Sequence, residues 1–188
     1  MTYYDKNTIK LCHCHLTSRI KEGYTVIDAT SGRGRDTLLL SKLVGDRGKV
    51  YAFDIQEEAI ESTRQLLEEN GRKNVTLILD SHEKMRNYVK EAQCVVFNFG
   101  YLPGSDHKIF SHADTSVRAI GEALEVISDD GFVCICSYYG GDTGFEEKEA
   151  VMEYLRGLDQ MKYTVMMLDF INRKGCPPIL YVVEKNRK

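Results

Sequence analysis

Residues 26–37, Val-Ile-Asp-Ala-Thr-Ser-Gly-Arg-Gly-Arg-Asp-Thr, restrict the fold more than any other stretch of the chain. Val26 and Ile27 open an apolar, β-branched run that suits a buried strand. Gly32 and Gly34 break the run, and Asp36, Thr37 and the leucines at 38–40 and 43 continue it as a helical pattern. A strand, a glycine turn and a helix form the opening unit of a nucleotide-binding α/β sheet. Glycine has no Cβ, so the backbone at Gly32 and Gly34 can approach a ligand closely. The helix that follows presents unpaired N–H groups to the same place. Thr37 stands where a third glycine of G-x-G-x-x-G would fall, so the motif alone also fits a plain strand-to-helix turn.

The next apolar run, Val50-Tyr51-Ala52-Phe53, closes on Asp54, about 20 positions after Gly34, where an acid can accept both hydroxyls of a ribose. That spacing fits NAD and S-adenosylmethionine equally. Asp28, the acid closing the first strand, favours the methyl donor. A carboxylate repels a pyrophosphate, whereas S-adenosylmethionine has no phosphate and carries a sulfonium and an ammonium.

Strand and helix patterns alternate along the rest of the chain. Helices are expected at 8–20, 36–44, 56–70, 83–90, 115–128 and 146–158, and strands at 49–54, 75–79, 94–98, 132–137, 163–170 and 179–183. The connection between the last two strands is too short for a crossover helix, so that pair should be antiparallel. With 188 residues and 43% hydrophobic content, the chain is expected to form one domain, 1–188, with a real core. The fold class is α/β: a Rossmann-like, mostly parallel twisted sheet with helices on both faces and a C-terminal antiparallel hairpin. This order of parts is similar to that of class I methyltransferases, and it leaves no room for the catalytic domain of a two-domain dehydrogenase.

No run is apolar enough to span a bilayer, and the polar start, Met1 to Lys6, does not read as a signal peptide, so no membrane partner and a cytoplasmic location are expected. Six cysteines in that setting read as thiols. A net charge of −3 argues against a protein that coats nucleic acid without specificity. A local basic patch for one folded RNA could draw on Arg33, Arg35, Lys84, Arg86, Lys108, Arg173 and Lys174, which read equally well as a solvated mixed surface. In Cys12-His13-Cys14-His15, residues two apart diverge around a helix, and no second Cys/His pair follows at zinc spacing. No metal is expected there, although His13 or His15 could edge a site.

Several blocks together resemble one family: Asp28-Ala29-Thr30-x-Gly32-x-Gly34-x-Asp36-Thr37, Phe53-Asp54-Ile55-Gln56, Asn98-x-Gly100-Tyr101-Leu102-Pro103, and Tyr138-Tyr139-Gly140-Gly141-Asp142-Thr143-Gly144. Asp169-Phe170-Ile171-Asn172 and Cys176-Pro177-Pro178 add to the match. They are similar to the YtqB/MnmM family of methyltransferases, whose members also carry an rRNA-methylase label. The resemblance covers nearly the whole chain. It implies S-adenosylmethionine as donor and the aminomethyl group of a 2-thiouridine at the tRNA wobble position as acceptor. Two departures stand out: Arg33 replaces the asparagine usual between the family's two glycines, and residues 103–107 differ slightly.

Site roles follow from the residue types. Asp54 should take the ribose hydroxyls with Gln56 beside it, and Gly32 and Gly34 should pass under the methionine part of the donor. Asp28, Thr30, Asp36 or Thr37 could hold its ammonium directly or through water, with helix capping as the competing account of Asp36 and Thr37. Ser81 and His82 should edge the adenine. Asn98-Phe99-Gly100-Tyr101 resembles, in the spacing of Asn and Tyr, the Asn-Pro-Pro-Tyr motif of amino methyltransferases. An amine has hydrogens to donate, and an asparagine carbonyl with a neighbouring backbone carbonyl can accept them and aim the lone pair. Asn98, Tyr101 and Asp142 are the catalytic candidates. Phe99, Gly100, Pro103, Tyr138, Tyr139, Gly140 and Gly141 are candidates for contacting the substrate, and Asp106 and His107 for freeing the amine of its proton. The partner implied is tRNA, and a second copy of the chain as a homodimer is compatible with the sequence. Competing readings are an rRNA or small-molecule amine methyltransferase of the same fold and a non-catalytic nucleotide sensor. The Asn98 motif argues against the sensor.

Overall fold

One sheet of seven strands, in the order β3-β2-β1-β4-β5-β7-β6, runs through the computed structural model, which describes residues 7–99, 113–139 and 144–187. The elements are α1 (Thr8–Arg19), β1 (Thr25–Asp28), α2 (Arg35–Val44), β2 (Lys49–Asp54), α3 (Glu57–Glu69), β3 (Val75–Leu79), a 3₁₀ segment (His82–Asn87), β4 (Ala92–Phe99), α4 (Ala113–Val126), β5 (Ile127–Ser137), α5 (Gly144–Arg156), β6 (Tyr163–Leu168) and β7 (Ile179–Lys185). The strands from β3 to β5 pair in parallel, and β7 runs antiparallel to both β5 and β6. The mostly parallel sheet with a reversed C-terminal strand is the architecture expected.

Side chains alternate across each strand, so the sheet divides its apolar residues between two cores. Val26, Val50, Cys94, Val96, Cys134, Cys136, Leu180 and Val182 face one way and meet Cys12 and Leu16 of α1, Ile20 just after it, and Leu40 and Val44 of α2. Ile27, Phe53, Val95, Phe97, Val133, Ile135 and Tyr181 face the other way, under Ala119, Ile120 and Ala123 of α4 and Val151 and Leu155 of α5. Asn98 has the parity of Cys94 and Val96, which puts its side chain on the face that α1 and α2 cover.

The first helix begins where Asn7 caps it, with its Oδ1 accepting from Ile9 N at 2.9 Å and Lys10 N at 3.4 Å. It is fastened to the far end of the sequence: Thr8 Oγ1 donates to Pro178 O at 2.6 Å, and Arg19 pairs with Glu184 of β7.

Most element boundaries lie within two residues of the sequence reading, and three larger or more telling differences have a physical reason. The helix expected at 83–90 is a 3₁₀ segment of six residues, with Met85 fully buried and Ser81 at its head. So short a piece, anchored by one core side chain, takes the tighter winding. The helix expected to reach residue 128 stops at Val126, because Ile127 pairs with Ala92 and extends β5. Residues between Ile127 and Phe132 then bulge out of register, with Asp130 at φ 62°. The strand expected to reach residue 170 ends at Leu168, its last partner being Leu180.

Candidate active site

The carboxyl ends of β1, β2, β4 and β5 lie side by side, and the loop from Ala29 to Gly34 crosses them. Its backbone is held by the sheet: Ala29 N donates to Val96 O at 2.9 Å, and Ser31 N to Phe53 O at 2.8 Å. Gly32 (φ 52°) and Gly34 (φ 78°) both have left-handed backbone, which L side chains adopt only with strain. At Gly34 space is also short, since a Cβ would lie 2.9 Å from the Cα of Thr63 on α3. Thr63 Oγ1 in turn donates to Gly32 O at 3.1 Å.

Asp54 closes β2 against this loop. Its Oδ2 accepts from Gly32 N at 2.9 Å and its Oδ1 from Gln56 N at 3.0 Å. Each oxygen so engaged keeps further acceptor capacity, and the residue is partly exposed. Asp28, by contrast, is fully buried beneath the loop. Its Oδ1 accepts from Thr30 N at 3.1 Å and its Oδ2 from the hydroxyl of Thr37, also fully buried, at 2.6 Å. Burial, then the nearby charge of Asp36, push its carboxyl up to about 7 against the opposing hydrogen bonds from Thr37 and Thr30. Asp28 and Thr37 therefore brace the loop from below.

His82 leans on the same loop. The carbonyl of Ala29 can only accept, so His82 Nδ1 donates to it, at 2.9 Å. Its ring sits edge-on to Phe97 and Phe99, and burial lowers its pKa, which keeps it neutral with Nε2 as the acceptor. Ser81 heads the 3₁₀ segment beside it. Asp80 is turned to local work: the Lys84 ammonium at 2.7 Å, with Tyr88 and Ser81 N, holds its carboxyl at about 2.

On the other side of the loop, Asn98 is held from two directions. Its backbone N–H donates to Thr30 Oγ1 at 2.8 Å, and its Nδ2 donates to Asp36 Oδ2 at 2.6 Å. The other Asp36 oxygen meets His13 Nε2 at 2.6 Å. With its nitrogen so engaged, Asn98 leaves its amide oxygen buried and, among the described residues, without a hydrogen-bond partner. Ser31 Oγ and Ser137 Oγ, at the same end of the sheet, are also buried without one. Tyr138 follows β5 on the Asn98 side, 40% exposed, with its N–H on Phe99 O at 3.1 Å. Burial, then the nearby Cys136 and Asp36, raise its phenol to about 12. Tyr139 packs edge-on to Phe145 and lies under the Lys148 ammonium at 4.4 Å.

The structure thus brings Asp28, Thr30, Gly32, Gly34, Asp36, Thr37, Asp54, His82 and Asn98 to one end of the sheet. Gly100, Tyr101, Pro103, Asp106, His107, Gly140, Gly141 and Asp142 lie outside the described residues. Among the basic candidates, Lys84 and Arg86 are taken up by Asp80 and Glu122, Lys108 lies outside the described residues, and Arg33, Arg35, Arg173 and Lys174 are exposed. The four side chains of the Cys-His run part company. Cys12 is buried, His13 turns to Asp36, Cys14 is exposed, and His15 packs edge-on to Phe132. The contact of His13 with Asp36 was the part of the site least visible in the sequence. It joins residues from two helices, and its one sequence trace is a histidine that could edge a site.

Comparison with known structures agrees with this fold. A chain from Clostridium thermocellum superposes with a TM-score of 0.95 at 45% identity, covering 97% of this chain and 99% of that one. A methyltransferase-family chain from Streptococcus mutans, solved with S-adenosylhomocysteine, gives 0.88 at 40% identity over 97% and 99%. The fold is that of a class I methyltransferase. A protein-L-isoaspartate O-methyltransferase model matches residues 6–84, the half that carries the glycine loop. A curated relative, “tRNA (mnm(5)s(2)U34)-methyltransferase, chloroplastic” from Arabidopsis thaliana, is 34% identical over 96% of this chain and 70% of its own length. The family model described as “Putative rRNA methylase” matches residues 50–184, and the chain belongs to that family.

Proposed function

We propose that this methyltransferase moves a methyl group from S-adenosylmethionine to an amine nitrogen on RNA: the aminomethyl group of 5-aminomethyl-2-thiouridine at the tRNA wobble position. The observation that carries the amine is the buried amide oxygen of Asn98, an acceptor without a partner among the described residues, at the carboxyl end of β4. An amine can satisfy it, and an acceptor atom without hydrogens cannot. The printed activity of the Arabidopsis relative supports the tRNA substrate.

S-adenosylmethionine is the donor of this family, and the residues present fit it. Gly32 and Gly34 leave a loop that a backbone-hugging ligand can approach, Asp54 keeps acceptor capacity for ribose hydroxyls, and Asp36 and Asp54 make the floor anionic, which suits a cation and opposes a pyrophosphate. Gln56, Ser81 and the Nε2 of His82 are assigned to the ribose and adenine, and Thr30 and Asp36 to the ammonium. The bound donor supplies an electrophilic methyl carbon, and the protein's own part is to align the amine with it and exclude water. Asn98 Oδ1 accepts one hydrogen of the neutral amine and so aims its lone pair. Tyr138 and Tyr139 offer rings on which the modified base can stack. Tyr101, Asp142 and Asp106 extend this assignment to the loops beyond the described residues.

The test is methyl transfer to undermodified total tRNA, followed by mass spectrometry of the nucleosides. A new methyl on the aminomethyl nitrogen is the expected product. A methyl on a base carbon or ribose oxygen, or on rRNA alone, would overturn the acceptor assignment.

A further inference from the structure

We propose that His13, on the first helix, is a positioning residue for the acceptor: it holds Asp36, and Asp36 fixes the amide of Asn98 with its oxygen turned towards the incoming amine. The inference rests on the reading of Asn98 given above.

The two ends of an asparagine amide have nearly the same shape, so which end faces a substrate is decided by what the other end meets. An ionised carboxylate accepts and cannot donate. Asp36 Oδ2, 2.6 Å from Asn98, therefore selects the NH₂ end and leaves the oxygen on the opposite side. Asp36 can do this only while its own side chain is fixed. It sits in the first turn of α2, where a carboxylate would otherwise be free to cap its own helix. His13 removes that freedom by engaging the second oxygen at 2.6 Å. Three elements, α1, α2 and β4, thus converge on one orientation, and Thr30 Oγ1 fixes the backbone of Asn98 from the loop.

The same chemistry says what His13 does not do. Its Nε2 faces an acceptor, so that nitrogen carries the hydrogen, and the lone pair of the neutral ring is on Nδ1. A proton arriving at Asp36 has no vacancy to enter on Nε2. The titratable groups around the ring are Asp36 of α2 and Cys12, its neighbour on α1, with Cys136 of β5 and Tyr138 just after it near Asp36. The Asp36 hydrogen bond raises the imidazole's pKa against the effect of burial. Both charge states of the ring keep the Nε2 hydrogen, so the orientation of Asn98 survives titration and is lost only when the side chain is removed.

A donor at the same reach should therefore replace the ring. In single-turnover methyl transfer at saturating donor, His13→Ala is expected to slow the reaction by up to about 10²-fold, the scale of a misplacement near 1 Å. His13→Gln, whose amide nitrogen reaches roughly as far as Nε2, should recover most of the rate. A second readout needs no activity. The side-chain NH₂ signals of Asn98, assigned in ¹⁵N spectra through loss in an Asn98→Asp variant, should shift as His13 titrates. In His13→Ala they should move towards the positions of solvent-exposed amides, and in His13→Gln they should not. A wild-type rate with unmoved NH₂ signals in His13→Ala overturns the proposal. So does a His13→Gln variant as slow as the alanine, which would mark the ring as a proton carrier. If the parent protein moved no methyl to an RNA amine, the functional reading would fall, and the spectra would still decide the orientation.

Discussion

Burying Asp28 under the glycine loop links the stability of the protein to pH. In the unfolded chain its carboxyl titrates near 4, and in the folded protein near 7. Between those values the folded state holds a proton that the unfolded state has released. The contribution of Asp28 to stability is therefore greatest below about pH 4 and is lost as pH rises through 7, a change of up to about 4 kcal/mol. Asp28→Asn, which can still accept from Thr30 N and donate to Thr37, should melt higher than the parent at pH 8, and the difference should nearly vanish towards about pH 4. A parallel pH dependence in the two proteins, followed by thermal unfolding, would show that Asp28 titrates as an ordinary carboxylate. Asn98 gives the kinetic counterpart. Asn98→Ala should cut single-turnover transfer by about 10²-fold or more, the scale of removing one oriented polar group from a reacting centre, while calorimetry with the donor stays near the parent value. The parent rate should rise with pH, because an aliphatic amine near the lysine reference of about 10.4 must lose its proton before it can attack, and desolvation at the site lowers that value. A flat profile with chemistry limiting would contradict an amine nucleophile.

The loop between β1 and α2 shows how tightly one element is dictated by another. Gly34 combines a left-handed backbone with contact against the backbone of α3, and Gly34→Ala meets both penalties together. The left-handed conformation alone costs about 1–2 kcal/mol, and α3 must also move by several tenths of an ångström. We expect a lower melting temperature and a weaker donor complex from this one methyl group. Unchanged values in both measurements would mean that the loop is free to shift. This element was legible in the sequence because everything that specifies it is local: apolar β-branched residues, two glycines, and a helix start. The same holds for Asp54, whose place follows from counting along one strand–helix–strand unit, and for Asn98 at the end of an apolar run. What was not legible depends on contacts between distant segments. Ile127 continues a strand because Ala92 is there to pair with it, although its neighbours read as helix. Asp80 reads like Asp54, an acid at a strand end, yet Lys84 and Tyr88 occupy it. His13 reads as part of a metal-like run, and only the docking of α1 on the sheet turns it to Asp36.

Across the whole molecule, the sheet is uneven. The residues of β4 and β5 are almost all buried, while β6 is an edge strand paired only with β7, with Met166, Met167 and Leu168 each at least 40% exposed. Amide hydrogen exchange should follow this gradient, fastest in β6 and slowest in β4 and the part of β5 from Phe132 to Ser137. Protection of β6 equal to that of β4 would mean that something covers the edge in solution. The other long-range feature is the fastening of α1 to β7, through Thr8 to Pro178 and Arg19 to Glu184, with Leu16 and Cys12 packed over Leu180 and Val182. On the ribosome these partners appear in the least convenient order. The first helix leaves the exit tunnel when almost nothing it will rest on exists, and its seat is finished only when residues 179–185 have emerged and slotted in beside β5. The glycine loop and β2 can assemble long before that, so a growing chain can form that half of the sheet early. The seat of α1, and with it the contact between His13 and Asp36, is therefore completed last, although His13 is among the first residues made.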